Sequence, residues 1–254
     1  MLGRSQVDRL GERLKSGIAT EADLTNLEAY RRLAGPVYST VVKGIQSLGL
    51  EVTGRPSKST RSIVEKLKRE SCRLSQIQDI AGCRIVVNGF KQQESVTKEI
   101  SLKLLGLRLI DRRKVPSFGY RAVHLVHRAG PIPIEIQVRS IAQHAWAEVS
   151  EKLSDRLGVE LKYGGGPDNI REFLMKTSKL IHNIELSEEQ LVELEKAGED
   201  LSNKFAIHPY KAFVPKIEEV VEALNKRNSE HQARCDSMRE ELLSYLTDFL
   251  RILD

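Results

Sequence analysis

The first fifty residues contain three stretches in which apolar residues recur at helical spacing. Val7 to Leu14, Glu21 to Leu33 and Pro36 to Leu48 are each predicted to be helical. Pro36 lies in the first turn of the third stretch, where the missing N–H of proline costs no hydrogen bond. We expect residues 1–50 to form N-terminal helices that pack on a larger domain.

The region from Glu51 to Leu157 alternates between helical and strand periodicity. Helices are predicted at Ser59 to Arg69, Glu94 to Leu105 and Ile141 to Leu157, and strands at Cys83 to Val87, Leu107 to Asp111, Arg121 to His127 and Pro133 to Arg139. Ala129-Gly130-Pro131 supplies a turn between the last two strands, which predicts an antiparallel hairpin. The simplest arrangement is an α+β domain with a mixed β-sheet flanked by helices.

The run Gly164-Gly165-Gly166-Pro167 interrupts this pattern and predicts a flexible turn at a domain boundary. The helices predicted after it are Ile170 to Ile181, Ser187 to Lys204 and Lys216 to Leu253. We therefore expect a core at residues 51–163 and a helical C-terminal extension at 164–254. The extension is either a packed tail or the contact between copies of a homo-oligomer.

The composition indicates the class of protein but does not indicate a function. The 254 residues are 40% hydrophobic and 30% charged, which is typical of a soluble globular protein. The apolar runs are too short to cross a membrane, and the charged N-terminus does not resemble a signal peptide. Three widely spaced cysteines favour reduced thiols and give no support for a zinc site. We expect a cytoplasmic protein whose net charge of +5 is only a weak indication of a polyanionic partner.

A basic segment lies between Glu51 and Arg73, where seven Lys or Arg residues accompany three acids. Lys58, Ser62 and Lys66 are four positions apart, which predicts that they share one face of a helix. A bound polyphosphate needs several cations at fixed positions, and a helix N-terminus adds its own partial positive charge. The alternative for such a segment is a lysine-rich helix exposed to solvent.

Two acidic residues are placed where a metal ion or a base would be needed. Asp79 comes just before the strand predicted at Cys83 to Val87, and Mg²⁺ prefers carboxylate and phosphate oxygens. Glu135 belongs to a strictly alternating strand, so it shares a face with Gln137 and Arg139. Three polar side chains on one face of an otherwise apolar strand indicate the lining of a cleft.

A loop with an aromatic residue follows a basic run. Arg108, Arg112, Arg113 and Lys114 precede the sequence Pro116-Ser117-Phe118-Gly119-Tyr120. An aromatic ring beside cations suits stacking on a nucleobase with phosphate contacts nearby. Packing in the protein interior is the alternative role for Tyr120.

Taken in order and spacing, these segments resemble the synthetase domain of the RelA/SpoT family. The resemblance covers roughly Glu51 to Leu157 and implies a nucleotidyltransferase-like fold. The matching residues are Gly54-Arg55, Lys58, Ser62-Ile63, Lys66, Asp79-Ile80-Ala81-Gly82-Cys83-Arg84, Gly119-Tyr120-Arg121, His124 and Glu135-Ile136-Gln137-Val138-Arg139. Two departures stand out: two residues instead of one separate Arg55 from Lys58, and Phe118 replaces the usual Asn before Gly-Tyr.

The resemblance implies a role for each matching residue. Arg55, Lys58, Ser62, Lys66 and Arg84 would bind ATP. Asp79 and Glu135 would be the catalytic residues and would hold Mg²⁺. Lys114, Tyr120, His124, Gln137 and Arg139 would bind the acceptor, with Tyr120 stacking on its base.

The activity that the resemblance implies is pyrophosphate transfer from ATP to the ribose 3′-hydroxyl of GDP or GTP, which yields (p)ppGpp and AMP. Phosphoryl-type transfer requires charge neutralisation and alignment more than covalent catalysis, and the residue types fit that requirement. Two alternatives stay open: a toxin-like enzyme that modifies the 3′ end of tRNA, and an inactive nucleotide- or RNA-binding module. The chain resembles the small, synthetase-only or toxin-like members, for which a protein antitoxin is an expected partner.

Overall fold

The computed structural model describes residues 2–158, 161–205 and 214–253. Its helices are α1 (Arg4–Ser16), α2 (Glu21–Arg32), α3 (Ala34–Gln46), α4 (Thr60–Glu70), α5 (Phe90–Lys103), α6 (Ile141–Leu157), α7 (Asp168–Phe205) and α8 (Val214–Leu253). Its strands are β1 (Thr53–Arg55), β2 (Ala81–Val87), β3 (Arg108–Asp111), β4 (Val123–His127) and β5 (Ile134–Ser140). The predicted α+β class is confirmed.

The five strands form one mixed sheet in the order β1-β2-β5-β4-β3. The predicted hairpin is confirmed, since β4 and β5 pair antiparallel with Leu125 opposite Ile136. Strand β1 was not predicted, because Thr53-Gly54-Arg55 is short, exposed on all three residues and lacks alternating apolar positions. It pairs antiparallel with β2.

Gly82 allows β2 to lie close to the neighbouring strand β5. A Cβ atom at this position would lie 2.8 Å from the carbonyl oxygen of Glu135 and 3.6 Å from its Cβ atom. Any larger residue would force the two backbones apart. The half-exposed face of β2, which carries Gly82 and Arg84, is therefore continuous with the face of β5 that carries Glu135.

The chain divides into two compact units. The first comprises Met1–Val86, Ser95–Arg112 and Ala122–Arg139, and the second comprises Val87–Glu94, Arg113–Arg121 and Ser140–Asp254. In the first unit α1 packs against α4 and against the 3₁₀ turn at Leu74–Gln76. These units differ from the domains expected from the sequence, and the boundaries at 50/51 and 163/164 stay predictions.

Helices α6, α7 and α8 build the core of the second unit. Trp146, Leu174, Ile181 and Leu246 are among the buried residues of this core. Helix α6 begins where it was predicted, because the Ser140 hydroxyl accepts the N–H of Gln143 at its N-terminus.

Helix α7 corrects the sequence prediction, which divided it into Ile170 to Ile181 and Ser187 to Lys204. It runs unbroken from Asp168 to Phe205, since residues 182–186 contain no Gly or Pro and two of them, Ile184 and Glu185, are buried. Neither α7 nor any other helix in the described part of the chain is long and apolar enough to cross a membrane.

Candidate active site

Asp79 lies in the loop before β2, where two lysines bind its carboxylate. The Lys58 ammonium is 2.5 Å from one carboxylate oxygen, and the Lys66 ammonium is 2.8 Å from the other. All three side chains are at most 22% exposed. The backbone N–H of Lys58 also donates to the carbonyl of Ile80, at 2.6 Å, which fixes Lys58 beside the loop.

The two lysines control the ionisation of Asp79. Burial opposes the charged form, but the nearby Lys66 and Lys58 ammonium groups outweigh it and lower the pKa of Asp79 from 3.8 to about 2. Asp79 is therefore a carboxylate over the whole physiological range.

The lysines reach Asp79 from different elements, which corrects the predicted single helical face. Ser59 is the N-cap of α4, and its hydroxyl accepts the N–H of Ser62 at 3.2 Å. The helix therefore begins at Thr60, so Lys58 precedes it while Lys66 lies within it. Ser62 is in the first turn, where its hydroxyl also accepts a hydrogen bond from Ser59 at 2.8 Å.

Glu135 lies on the polar face of β5, as predicted, with its neighbours linked along that face. The Gln137 amide donates to the Glu135 carboxylate at 2.8 Å, and the Arg139 guanidinium donates to the Gln137 carbonyl at 2.8 Å. His124 on β4 places its Nδ1 atom 3.1 Å from the other Glu135 carboxylate oxygen. The alternating period of β5 brings these predicted residues together.

The Glu135 carboxylate is also held in its charged form. Burial raises its pKa, but the hydrogen bond and charge of His124, with the Gln137 hydrogen bond, bring the pKa below its ordinary value despite the repulsion from Asp79. Glu135 in turn helps burial to raise the pKa of the Cys83 thiol to about 12, so Cys83 is inert as a nucleophile.

The other two residues predicted to bind ATP lie on the paired strands β1 and β2. Arg55 is exposed at the end of β1, in register with Gly82. Arg84 is half-buried on the same face of β2 as Gly82. Both arginines belong to the same unit as Asp79 and Glu135.

The side chains of Asp79 and Glu135 fit a hard cation such as Mg²⁺. Each supplies an ionised carboxylate, and Mg²⁺ commonly binds one or two carboxylates together with substrate phosphates. Among the described residues, no group of three or more His, Cys, Asp or Glu side chains is arranged to hold a metal ion.

The predicted acceptor residues Lys114 and Tyr120 belong to the second unit, in the segment Arg113–Arg121. The Tyr120 ring is half-buried, with its centroid 6.5 Å from that of Trp146. Lys114 is exposed. Phe118 has a left-handed backbone (φ 49°) and a side chain that is 55% exposed. A role for this segment in acceptor binding stays a prediction.

Sequence reasoning missed the partners of Arg121, which is 95% buried. The Arg121 guanidinium forms an ion pair with Glu185 on α7. Nearby in the sequence, the carbonyl of Gly119 accepts a hydrogen bond from another α7 residue, Ser178, at 2.6 Å. Only the conspicuous motif Gly119-Tyr120-Arg121 pointed to this region. Glu185 lies 64 positions further along the chain, so no local pattern reveals the pair.

Comparison with known proteins agrees with this geometry. The family description "Region found in RelA / SpoT proteins" matches residues 54–155. The chain is 30% identical over 211 residues to the uncharacterized protein Rv1366 of Mycobacterium tuberculosis, covering 80% of this chain and 72% of that relative. It is 28% identical over 160 residues to the GTP pyrophosphokinase YwaC of Bacillus subtilis, covering 54% of this chain and 70% of that relative.

A solved structure shares the fold. The small alarmone synthetase 1 of Bacillus subtilis, crystallised with its product pppGpp, superposes with a TM-score of 0.52 at 24% identity. The superposition covers 70% of this chain and 98% of that one. The matched region and the related sequences agree, and this chain belongs to the RelA/SpoT family.

Proposed function

We propose that this protein is a pyrophosphokinase that transfers pyrophosphate from ATP to the ribose 3′-hydroxyl of GDP or GTP. The observation that carries the proposal is the presence in one compact unit of two ionised carboxylates, Asp79 held by two lysines and Glu135 held by a histidine. The pyrophosphokinase named among the relatives and the alarmone synthetase that shares the fold support the same reaction.

Lys58 and Lys66 would bind the phosphates of ATP. Both ammonium groups are fixed within 2.8 Å of a carboxylate oxygen, and phosphate oxygens can replace that acceptor with hydrogen bonds of the same charge-assisted kind. Arg55 and Arg84, on the neighbouring strands, would add further positive charge. This arrangement neutralises a polyphosphate without any covalent step by the protein.

Glu135 would activate the acceptor hydroxyl. The 3′-oxygen attacks the β-phosphorus of ATP and its proton passes to the Glu135 carboxylate, while the bond from that phosphorus to the oxygen bridging it to the α-phosphorus breaks and AMP leaves with the bridging oxygen. His124 and Gln137 would orient Glu135, because each contacts a different carboxylate oxygen.

Mg²⁺, held by Asp79 and Glu135, would neutralise the charge on the phosphates during transfer. Tyr120 would stack on the acceptor base, with Lys114 near its phosphates. An acceptor-binding role for Gln137 and Arg139, on the same face of β5 as Glu135, stays a prediction. An antitoxin and a homo-oligomer formed through the C-terminal helices stay predictions.

The 3′ end of tRNA is the second candidate acceptor. Arg108 and Lys114 of the basic run are exposed and available for a phosphate backbone. Arg113 is less suited to a phosphate backbone, since its guanidinium pairs with Glu94 at 2.6 Å and lies over the Phe90 ring.

The test supplies γ-³²P-labelled ATP and unlabelled GDP, GTP or deacylated tRNA in separate reactions, with Glu135→Gln protein and acceptor-free reactions as controls. We expect label in a guanine nucleotide together with one AMP released for each transfer. Label in tRNA alone would establish the second candidate, and no AMP with any acceptor would leave an inactive binding module.

A further inference from the structure

We infer that Ser178 and Glu185 of α7 are positioning residues that hold the segment Arg113–Arg121, here called the acceptor loop, in the shape that binds the acceptor. The inference rests on the proposed function and deepens it. It assigns part of acceptor affinity to a helix that the family match at residues 54–155 does not include. The acceptor loop and α7 belong to the same unit.

The first tether holds the acceptor loop at Gly119. The buried Ser178 hydroxyl donates to the Gly119 carbonyl at 2.6 Å. Gly119 has a left-handed φ of 89°, and a Cβ atom there would lie 2.8 Å from the Trp146 ring and 3.3 Å from the Cβ atom of Ser178. The loop backbone therefore touches α6 and α7 directly at the residue before Tyr120.

The second tether holds the acceptor loop at Arg121. The Arg121 guanidinium donates two hydrogen bonds to one carboxylate oxygen of Glu185, and the Gln143 amide donates to the other at 2.7 Å. The Arg121 and Glu185 side chains are only 5% and 7% exposed. A buried charge pair with its hydrogen bonds satisfied fixes geometry strongly, because moving one partner leaves the other unpaired in a dry environment.

Tyr120 lies between these two tethers. Its ring rests near Trp146 from α6, and the residues on either side of it are bound by α7. Its backbone also pairs with Ser117 across the loop, with the Tyr120 N–H donating to the Ser117 carbonyl at 2.9 Å. A stacking ring binds a base well only if it is already in place, since ordering a loose loop on binding lowers affinity.

The kinetic test uses Ser178→Ala and Glu185→Gln, which remove a hydroxyl and a charge with little change of volume. We expect each to raise the KM for GDP about tenfold, as for the loss of one hydrogen bond, with the KM for ATP changed less than about twofold. Thr177→Val is the matched control, because the Thr177 hydroxyl bonds only the Phe173 carbonyl of its own helix among the contacts described for it.

A second readout needs no turnover. Trp146 is the only tryptophan of the chain and its ring touches Gly119 of the acceptor loop, so its fluorescence reports loop release. We expect the emission of Ser178→Ala and Glu185→Gln to shift to longer wavelength and that of Thr177→Val to stay unchanged.

The outcomes separate this inference from the proposed function. A GDP KM unchanged in both variants, or raised equally with the KM for ATP, overturns the positioning role in an active enzyme. If the wild-type protein transfers pyrophosphate to no acceptor, the proposed function fails. Unchanged Trp146 emission in both variants would then also show that Ser178 and Glu185 do not hold the acceptor loop.

Discussion

The imidazole of His124 meets the carboxylate of Glu135 diagonally across the β4–β5 pair, at 3.1 Å, although the strand register places His124 opposite Gln137. Because both side chains are at most 14% exposed, the histidine holds the carboxylate at a fixed position where solvent competes little. The role of Glu135 as a base can therefore be tested by a substitution that removes its charge.

Glu135→Gln should lower pyrophosphate transfer by about 100-fold or more while the far-ultraviolet circular dichroism spectrum stays unchanged, because an amide cannot accept the hydroxyl proton. Glu148→Gln is the matched control, since Glu148 also contacts a histidine, His144, but is 48% exposed on α6. Near-normal turnover by a folded Glu135→Gln protein would remove Glu135 from the chemistry.

Lys66→Ala should weaken the binding of a non-hydrolysable ATP analogue by about tenfold or more, because one of the two cations beside Asp79 is lost. Lys68→Ala, which changes an exposed lysine of the same helix, should leave this affinity nearly unchanged. Isothermal titration calorimetry measures both. Loss of GDP affinity with unchanged affinity for the ATP analogue would show that the two nucleotide sites have been exchanged.

Asp79 should make stability depend on pH in the acid range. Its pKa in the folded protein, about 2, lies below the ordinary value of 3.8. The carboxylate therefore contributes its full stabilisation above pH 3.8, on the order of 2 kcal/mol, and loses it as the pH falls through about 2.

Urea unfolding of the wild type and of Asp79→Asn should accordingly differ most near neutral pH and converge as the pH approaches 2. Asp248→Asn is the control, since Asp248 forms an exposed ion pair with Arg251, and such pairs contribute little. A difference between the wild type and Asp79→Asn that is constant from pH 7 to 2 would contradict the assignment.

Tyr120→Ala should raise the acceptor KM about tenfold or more and spare ATP binding, because a stacking ring contributes about 1–3 kcal/mol per base. Tyr120→Phe keeps the ring and should keep most of the affinity. Initial rates at varied GDP with saturating ATP measure the effect. Equal losses for both variants would assign the role to the hydroxyl instead of the ring.

Gly82→Ala should destabilise the first unit by about 1–3 kcal/mol, because the added methyl group would overlap the Glu135 carbonyl at 2.8 Å. Gly35→Ala is the control: Gly35 lies in α3 with no atom near the position of a Cβ, so alanine should be neutral or stabilising there. Thermal unfolding measures both. A Gly82→Ala protein as stable and active as the wild type would show that β2 and β5 separate without cost.

The sequence predicted best what depends on local periodicity. The alternation in Pro133 to Arg139 correctly placed Glu135, Gln137 and Arg139 on one face of a strand, because a period of two leaves no other choice. The start of α6 was also predictable, since Ser140 and Gln143 form its cap within three residues.

Contacts between distant positions were beyond sequence reasoning. The ion pair of Lys58 with Asp79 spans 21 positions, and that of Arg121 with Glu185 spans 64. The unbroken course of α7 was missed for the same reason. In the local sequence Glu185 interrupts the apolar pattern, but in the folded chain it is buried and paired with Arg121.

The second unit is built from three separate segments of the chain, Val87–Glu94, Arg113–Arg121 and Ser140–Asp254. The residues between these segments belong to the first unit. Recombination that replaced everything after Arg139 would therefore place a foreign α7 against the native segment Arg113–Arg121. If the incoming helix lacked a carboxylate at the position of Glu185, Arg121 would remain a buried cation without that counter-charge, which is strongly destabilising. Exchange of the C-terminal helices between relatives should succeed only when the short inner segments travel with them.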